Sequence, residues 1–196
     1  MKIIIIILCV VLVAFIGVQL FALKSQHNIE TYPYTVSKTF EKFEIRNYEA
    51  SLFTSVNSNT KDFKNASSKG FSVLAGYIFG GNEKNEKIAM TSPVAMSLEE
   101  SMTMMFLVPK KFNRNNLPKP NASNIEFLEI PEKKVAAISF GGWANNEKIA
   151  LQKQRLIKEL NNKGIKHTNK FYYLGYNAPY EVFNRKNDII VELKNN

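Results

Sequence analysis

The stretch YIFGGNEKNEKIAMTSPVAM, residues 77–96, decides the fold class of this chain, because it joins the end of a helix to the start of a strand. Gly80, Gly81 and Asn82 tolerate positive φ, which is typical of residues that end a helix. Residues 88–91 (IAMT) are predicted to open a strand. Pro93 lacks an N–H and restricts Ser92, so the strand is expected to bend there or to lie at a sheet edge.

The chain before this stretch supplies two strands and a helix. Residues 34–40 and residues 43–56 mix β-branched and aromatic residues with partial alternation, and each is interpreted as one strand. Asp62 is the predicted N-cap of a helix over 63–79, whose apolar residues recur at the spacing of one buried face. Two more strands are predicted, over 88–98 and 102–108. The apolar face of the helix consists of Phe63, Ala66, Gly70, Phe71, Leu74, Tyr77 and Ile78.

The second half of the chain repeats this order. Strands are predicted over 125–130 and 135–140, followed by a helix over 147–163 that Asn146 caps and Gly164 closes. Two more strands are predicted over 170–176 and 188–193. Ile45 and Ile130 are 85 residues apart, and Pro93 and Pro179 are 86 apart. This repeat predicts an α+β fold in which a duplicated β-α-β-β unit forms a curved or distorted-barrel antiparallel sheet with two main helices.

The N-terminal segment is apolar on every side. Residues 3–23 would form a helix of about 32 Å at ~1.5 Å per residue, against a bilayer core of about 30 Å. Leu20 disfavours a small-x-small cleavage site, so an uncleaved transmembrane anchor or signal-anchor is favoured over a removed signal peptide, and over a buried core helix. The predicted organisation is an anchor over 1–24, a linker over 25–31 and a folded domain over 32–196, with the domain expected on the extracytoplasmic side of the membrane.

Charge and residue types narrow the function. The net charge is +9, but the lysines are scattered, which disfavours nucleic-acid binding and favours a modest attraction for carboxylates. Cys9 lies within the apolar segment, and His27 and His167 have no neighbour at metal-ligand spacing, so both histidines are interpreted as exposed polar residues. No nucleophile–base pair is apparent, and an enzyme is not expected. Methionines cluster as in an adaptable apolar cleft: Met90, Met96, Met102, Met104 and Met105.

Four segments in this order, FEIRNYEA, the helix, residues 77–96 and GYNAPYEVFNRKN, resemble the SOUL haem-binding family over roughly residues 32–193. The resemblance implies that domain 32–196 is a SOUL-like domain that binds haem, or a related tetrapyrrole, mainly through apolar contacts from the first helix and adjacent strands. It places no metal ligand and no catalytic residue. The implied contacts are Phe71, Leu74, Tyr77, Ile78, Met90 and Met96, with Lys64 and Lys69 near the propionates.

Two positions depart from the family pattern. Asn47 stands where some members carry a histidine proposed as an iron ligand, and an amide is a poor ligand for iron. Glu181 stands near a position that is basic in some relatives, where it would repel a propionate. The expected function is reversible, non-catalytic tetrapyrrole binding at a membrane surface. The alternatives are a module for another hydrophobic or amphipathic small molecule and, less favoured, an enzyme acting on tetrapyrrole or lipid side chains.

Overall fold

The computed structural model describes residues 2–26 and 29–194. An N-terminal helix precedes a domain that alternates strands with two further helices. The elements are α1 (Lys2–Gln26), β1 (Tyr34–Thr39), β2 (Glu44–Tyr48), β3 (Ser51–Asn57), α2 (Phe63–Ile78), β4 (Val94–Ser97), β5 (Thr103–Leu107), β6 (Glu126–Ile130), β7 (Lys133–Gly141), α3 (Asn146–Asn162), β8 (His167–Gly175) and β9 (Lys186–Leu193).

The nine strands form one antiparallel sheet, curled into a half-barrel, in the order β1-β2-β7-β9-β8-β4-β5-β3-β6. The unit β3-α2-β4-β5 recurs as β7-α3-β8-β9, as the sequence predicted. The halves meet where β4 pairs with β8. Each half also lends a strand to the other, because β2 pairs with β7 and β6 pairs with β3. The two halves therefore interlock as one folded unit.

The two faces of the sheet bury different sets of side chains, because successive residues of a strand point to opposite faces. In β7, Ala136 and Ile138 join the larger apolar core, to which α2 and α3 contribute. Val135 and Ala137 point to the opposite, concave face. Strands buried on both faces read as nearly continuous apolar runs, which is why their orientation is not apparent from sequence.

Hydrogen bonds hold the N-termini of α2 and α3 beside each other. Asp62 caps α2 by accepting from the Asn65 amide at 2.8 Å, and it also accepts from Asn146 Nδ2 at 2.8 Å. Asn146 Oδ1 in turn accepts from the Phe63 amide at 2.9 Å. The Asn65 amide and then the Asn146 side chain lower the pKa of Asp62. The predicted cap at Asp62 is confirmed, whereas the N-cap of α3 is Asn145 and not Asn146, which is the first residue of the helix.

Three details of the sequence interpretation are wrong. Residues 43–56 form two strands, since the chain turns between Tyr48 and Ser51, where the Glu49 amide bonds the Pro33 carbonyl at 3.1 Å. Residues 88–93 precede β4 and are not part of it. Pro93 precedes β4 whereas Pro179 follows β8, so the two prolines are not equivalent positions of the repeat.

Residues 2–18 of helix α1 stand apart from both cores. Each of them is exposed, so this part of α1 contributes no buried residue. Gln19 contacts the domain by donating to the Tyr180 carbonyl at 3.0 Å and accepting from the Val182 amide at 3.3 Å. A fragment that lacks α1 keeps the whole described core, so we expect it to fold on its own.

Candidate ligand-binding sites

The predicted contacts on α2 divide into a buried group and a surface group. Leu74, Tyr77 and Ile78 are at most 3% exposed and pack between α2 and the sheet, as does Met96 of β4. The Tyr77 hydroxyl donates to the Pro118 carbonyl at 2.7 Å. These four side chains form part of the core and do not line an open surface.

The surface group comprises Phe71, Lys64 and Lys69 of α2, to which Met90, in the segment before β4, is added. Phe71 is half-buried, and its ring meets the Phe106 ring edge-on at a centroid distance of 5.5 Å. Met90 is also half-buried against the core. Lys64 and Lys69 are exposed but line different hollows, because five residues advance a helix by about 140° beyond a full turn. Lys64 lies two turns before Phe71 on the same face of α2, whereas Lys69 lies on nearly the opposite face.

The larger hollow lies on the opposite, concave face of the sheet and encloses about 850 Å³. This volume falls within the ~300–1,000 Å³ range of small-molecule sites. Its apolar wall comes from Tyr48, Met105, Leu128 and Ile130, while Ser97 and Thr103 add hydroxyls. The strands that meet here are distant in the chain, so the hollow exists only because the sheet curls.

A cluster of charged side chains lines one side of this cavity. Glu192 accepts from the Tyr172 hydroxyl at 3.0 Å and lies 3.4 Å from Lys133 Nζ. Lys133 Nζ also sits 3.9 Å from the centroid of the Tyr172 ring. Burial lowers the pKa of Lys133, although Glu192 opposes the shift. Burial, and then the charge of Glu192, raises the pKa of Tyr172.

A second ionic network lies on the same face. Arg46, which is 3% exposed, donates from Nη1 to Asp188 Oδ2 at 2.6 Å and from Nε to Glu44 at 2.8 Å. The fully buried Asp188 carboxylate also accepts from Tyr176 at 2.7 Å and from Ser139 at 2.6 Å. Burial followed by the charge of Asp188 raises the pKa of Tyr176. Because every partner here is already paired, this network serves structure more than ligand binding.

The two departures from the family pattern occupy different surroundings. Asn47 is exposed on β2 at the margin of the concave cavity. Glu181 is buried in the loop after β8, where its carboxylate accepts from the Ala178 amide at 3.0 Å and from Asn177 Nδ2 at 2.8 Å. Its charge is therefore directed at this loop and is held away from solvent.

The histidines and the cysteine add no metal site to the part of the chain that the structure describes, where no group of three metal-binding side chains converges. His167 is half-buried, which corrects the expectation of an exposed residue: its Nδ1 lies 2.6 Å from the Thr168 carbonyl and its ring meets Phe171. Cys9 is exposed on α1. His27 falls outside the described residues.

Sequence reasoning missed the concave cavity altogether. A signal was present in β7 and β8, where Lys133, Val135 and Ala137, and likewise Tyr172 and Leu174, alternate on one face. Alternation alone does not indicate that these faces converge, since β7 and β8 are joined only through β9. The ligand site was predicted at α2 because the apolar periodicity of a helix is the stronger local pattern.

The order and pairing of the elements define an α+β domain built from a duplicated unit, and solved structures share this architecture. The C-terminal domain of EcmrR superposes with a TM-score of 0.61 at 12% identity, covering 83% of this chain and 99% of that domain. A hydrolase from Listeria innocua superposes with a TM-score of 0.56 at 7% identity, over 81% and 94% of the two chains. At these identities the likeness concerns the fold alone.

Sequence comparison defines the family. The chain belongs to the SOUL heme-binding protein family, whose model matches residues 29–192. It is 31% identical to Heme-binding protein 2 of Homo sapiens over 162 residues, which cover 78% of each chain. It is 24% identical to Heme-binding protein 1 of Sus scrofa over 174 residues, covering 83% of this chain and 92% of that protein. The resemblance seen in the sequence is thereby confirmed, with haem as a possible ligand of the family.

Proposed function

We propose that this protein binds haem or a related tetrapyrrole reversibly, performs no chemistry on it, and does so at a membrane surface. The family match, which spans nearly the whole folded domain, is the observation that carries this proposal. The function is then carriage, buffering or sequestration of the ligand. The main alternative is a module for a different hydrophobic or amphipathic small molecule, and the concave cavity favours it.

The proposed tetrapyrrole site is the face of α2 around Phe71. The ring would lie against Phe71 and Met90, with Lys64 or Lys69 near a propionate. Burial of ring surface contributes ~25 cal/mol per Å² of apolar area, so affinity would come mainly from packing. Leu74, Tyr77, Ile78 and Met96 would reach the ring only if α2 moved away from β5. In the present packing they lie in the core cluster against which Phe71 packs.

A haemin titration of the soluble fragment 24–196, followed by Soret absorbance, tests this site. We expect saturable 1:1 binding that weakens at least tenfold in Phe71→Asp, since a carboxylate would replace the apolar edge and repel a propionate. Phe79→Asp is the matched control, because Phe79 is 65% exposed just beyond the end of α2. Binding that never saturates, or that responds equally to both substitutions, would refute the proposed site.

The proposed membrane location rests on α1 and on the loops beside it. Residues 2–19 form a helix segment of mean hydropathy 2.8, long and apolar enough to cross a membrane. Gln19 hydrogen-bonds the loop after β8, in which Tyr180, Val182 and Phe183 are exposed. Amphipathic aromatic residues are typical of the membrane–water interface. These side chains would rest on the bilayer beside the point where α1 enters it.

Liposome flotation tests the location in two steps. We expect the full chain to float with vesicles after an alkaline carbonate wash, and the fragment 24–196 to stay in solution after the same wash. A full chain that the wash releases would contradict a membrane-spanning α1. Protease protection in oriented vesicles would then show on which side the domain lies, which we propose is extracytoplasmic.

A further inference from the structure

The concave cavity is separate from the α2 site, since the two lie on opposite faces of the sheet. Its base is not a neutral apolar floor. Three side chains from three strands meet there: Lys133 of β7, Tyr172 of β8 and Glu192 of β9. Burial of charge is costly unless the charge is paired, and ionisable groups with shifted pKa values cluster at functional sites, so this ionic cluster beside an open hollow marks a candidate ligand site.

The position that a cationic ligand would occupy is already taken by the ammonium group of Lys133. Aromatic faces and buried carboxylates are the groups that attract ammonium ions. Here the Lys133 side chain is 10% exposed, and its ammonium lies over the Tyr172 ring at 3.9 Å and beside Glu192 at 3.4 Å. An ammonium ligand would have to displace this lysine. The geometry therefore disfavours cations as occupants.

Two ammonium groups meet one carboxylate at the base of the cavity. Lys170 Nζ lies 3.7 Å from Glu192 Oε2, so two ammonium groups share one carboxylate, which also accepts from Tyr172. A second carboxylate placed between the two lysines would balance this charge. Solvent partly screens the charge of Lys170, whose side chain is 61% exposed, and the charges of the other exposed residues that line the cavity; these others are Glu99, Glu129, Glu132 and Lys134.

We propose that the concave cavity binds an amphipathic molecule through a carboxylate, which is held between Lys133 and Lys170 while the apolar part lies against Met105, Leu128 and Ile130. Leu128 is 41% exposed, which leaves an apolar surface for such a ligand to cover. This proposal is independent of tetrapyrrole binding at α2. An acyl chain and a tetrapyrrole both fit the chemistry, because each combines apolar surface with a carboxylate.

Fluorescence titration of fragment 24–196 with parinaric acid, and with its neutral methyl ester, tests the carboxylate requirement. We expect the acid to bind at least tenfold more tightly than the ester. Equal binding of the two would overturn the proposal, because the cavity would then recognise apolar surface alone. Displacement of parinaric acid by haemin, in the Phe71→Asp background, would identify a tetrapyrrole as the occupant; failure of haemin to displace it would identify an acyl chain.

Two substitutions with opposite expected signs locate the binding in the cavity. Lys133→Met should weaken parinaric acid binding about tenfold, whereas Glu192→Gln should tighten it severalfold because the competing carboxylate is gone. Lys158→Met, on the exposed side of α3, is the matched control and should have no effect. If Lys133→Met unfolds by circular dichroism, Glu192→Gln decides: weaker or unchanged binding in that variant would overturn the assignment.

Discussion

The buried Arg46–Asp188 ion pair makes an asymmetric prediction about stability. The two side chains are 142 residues apart in sequence and join β2 to β9 across β7 on the concave face. Arg46 has a second carboxylate partner in Glu44 at 2.8 Å, and Glu44 is partly exposed. Asp188 keeps only neutral donors, Ser139 and Tyr176, when the guanidinium is removed. Loss of the cation should therefore cost more than loss of the anion.

The magnitudes follow from what each substitution leaves behind. Arg46→Met retains the aliphatic volume but strands a buried carboxylate, which typically costs about 3–5 kcal/mol. The two remaining hydrogen bonds to Asp188 offset part of this, so we expect a loss near 3 kcal/mol. Asp188→Asn leaves Arg46 paired with Glu44, and we expect a loss of about 1–2 kcal/mol.

Urea unfolding of fragment 24–196, followed by far-UV circular dichroism, measures these differences. The double variant Arg46→Met/Asp188→Leu removes both charges, and we expect its loss to be smaller than the sum of the single losses by at least 1 kcal/mol. An Arg46→Met loss below 1 kcal/mol, or an Asp188→Asn loss that exceeds it, would refute this account of the pair. Additive losses would mean that the two groups do not interact energetically.

The other predictions concern close packing in α2 and the ionisation of a buried phenol. Gly70→Ala should destabilise the fold by ~1–2 kcal/mol, because the added Cβ would lie 2.9 Å from Met104 Cβ. Gly76→Ala should stabilise it by ~0.5–1 kcal/mol, because a Cβ there meets nothing within 4 Å and alanine favours the helix; urea midpoints that move in the same direction for both variants would contradict this. Burial raises the pKa of Tyr173 to about 12, so its ionisation in the unfolded chain removes stability as pH rises from 10 towards 12, by about 1.4 kcal/mol at pH 11. Tyr173→Phe loses the hydrogen bond to Asn187 and should lower the stability by ~1 kcal/mol at pH 7. At pH 11 the variant should be as stable as the wild type, because the wild type alone has lost stability through the ionisation of Tyr173. An equal difference at both pH values would disprove the assignment.

Local patterns were sufficient for most of the elements. The cap at Asp62, the 3–4 spacing of apolar residues and the glycines after each helix located α2 and α3 to within one residue. Both glycines have positive φ, +113° at Gly80 and +65° at Gly164, a conformation that few other residues adopt. The turn at Glu49 and Ala50 was missed because neither residue is a typical turn former.

The candidate sites were harder to predict. The helix pattern correctly identified which residues of α2 face the sheet, but that same burial keeps Leu74 and Ile78 away from solvent. A periodic apolar face indicates packing and does not distinguish a core from a ligand cleft. Lys133 and Glu192 are ordinary charged residues of two strands, and the alternation of Lys133 with Val135 and Ala137 does not indicate that the two meet.

The sequence by itself determined the α+β class, the duplicated unit and the apolar N-terminal helix, since these depend on the spacing of neighbouring residues. Only the tertiary structure decided that the halves exchange β2 and β6, and which face of the sheet the helices cover. It alone brings Lys133, Tyr172 and Glu192 together from three strands. Their convergence depends on the curl of the sheet, and curl is set by the pairing of strands that are distant in the chain.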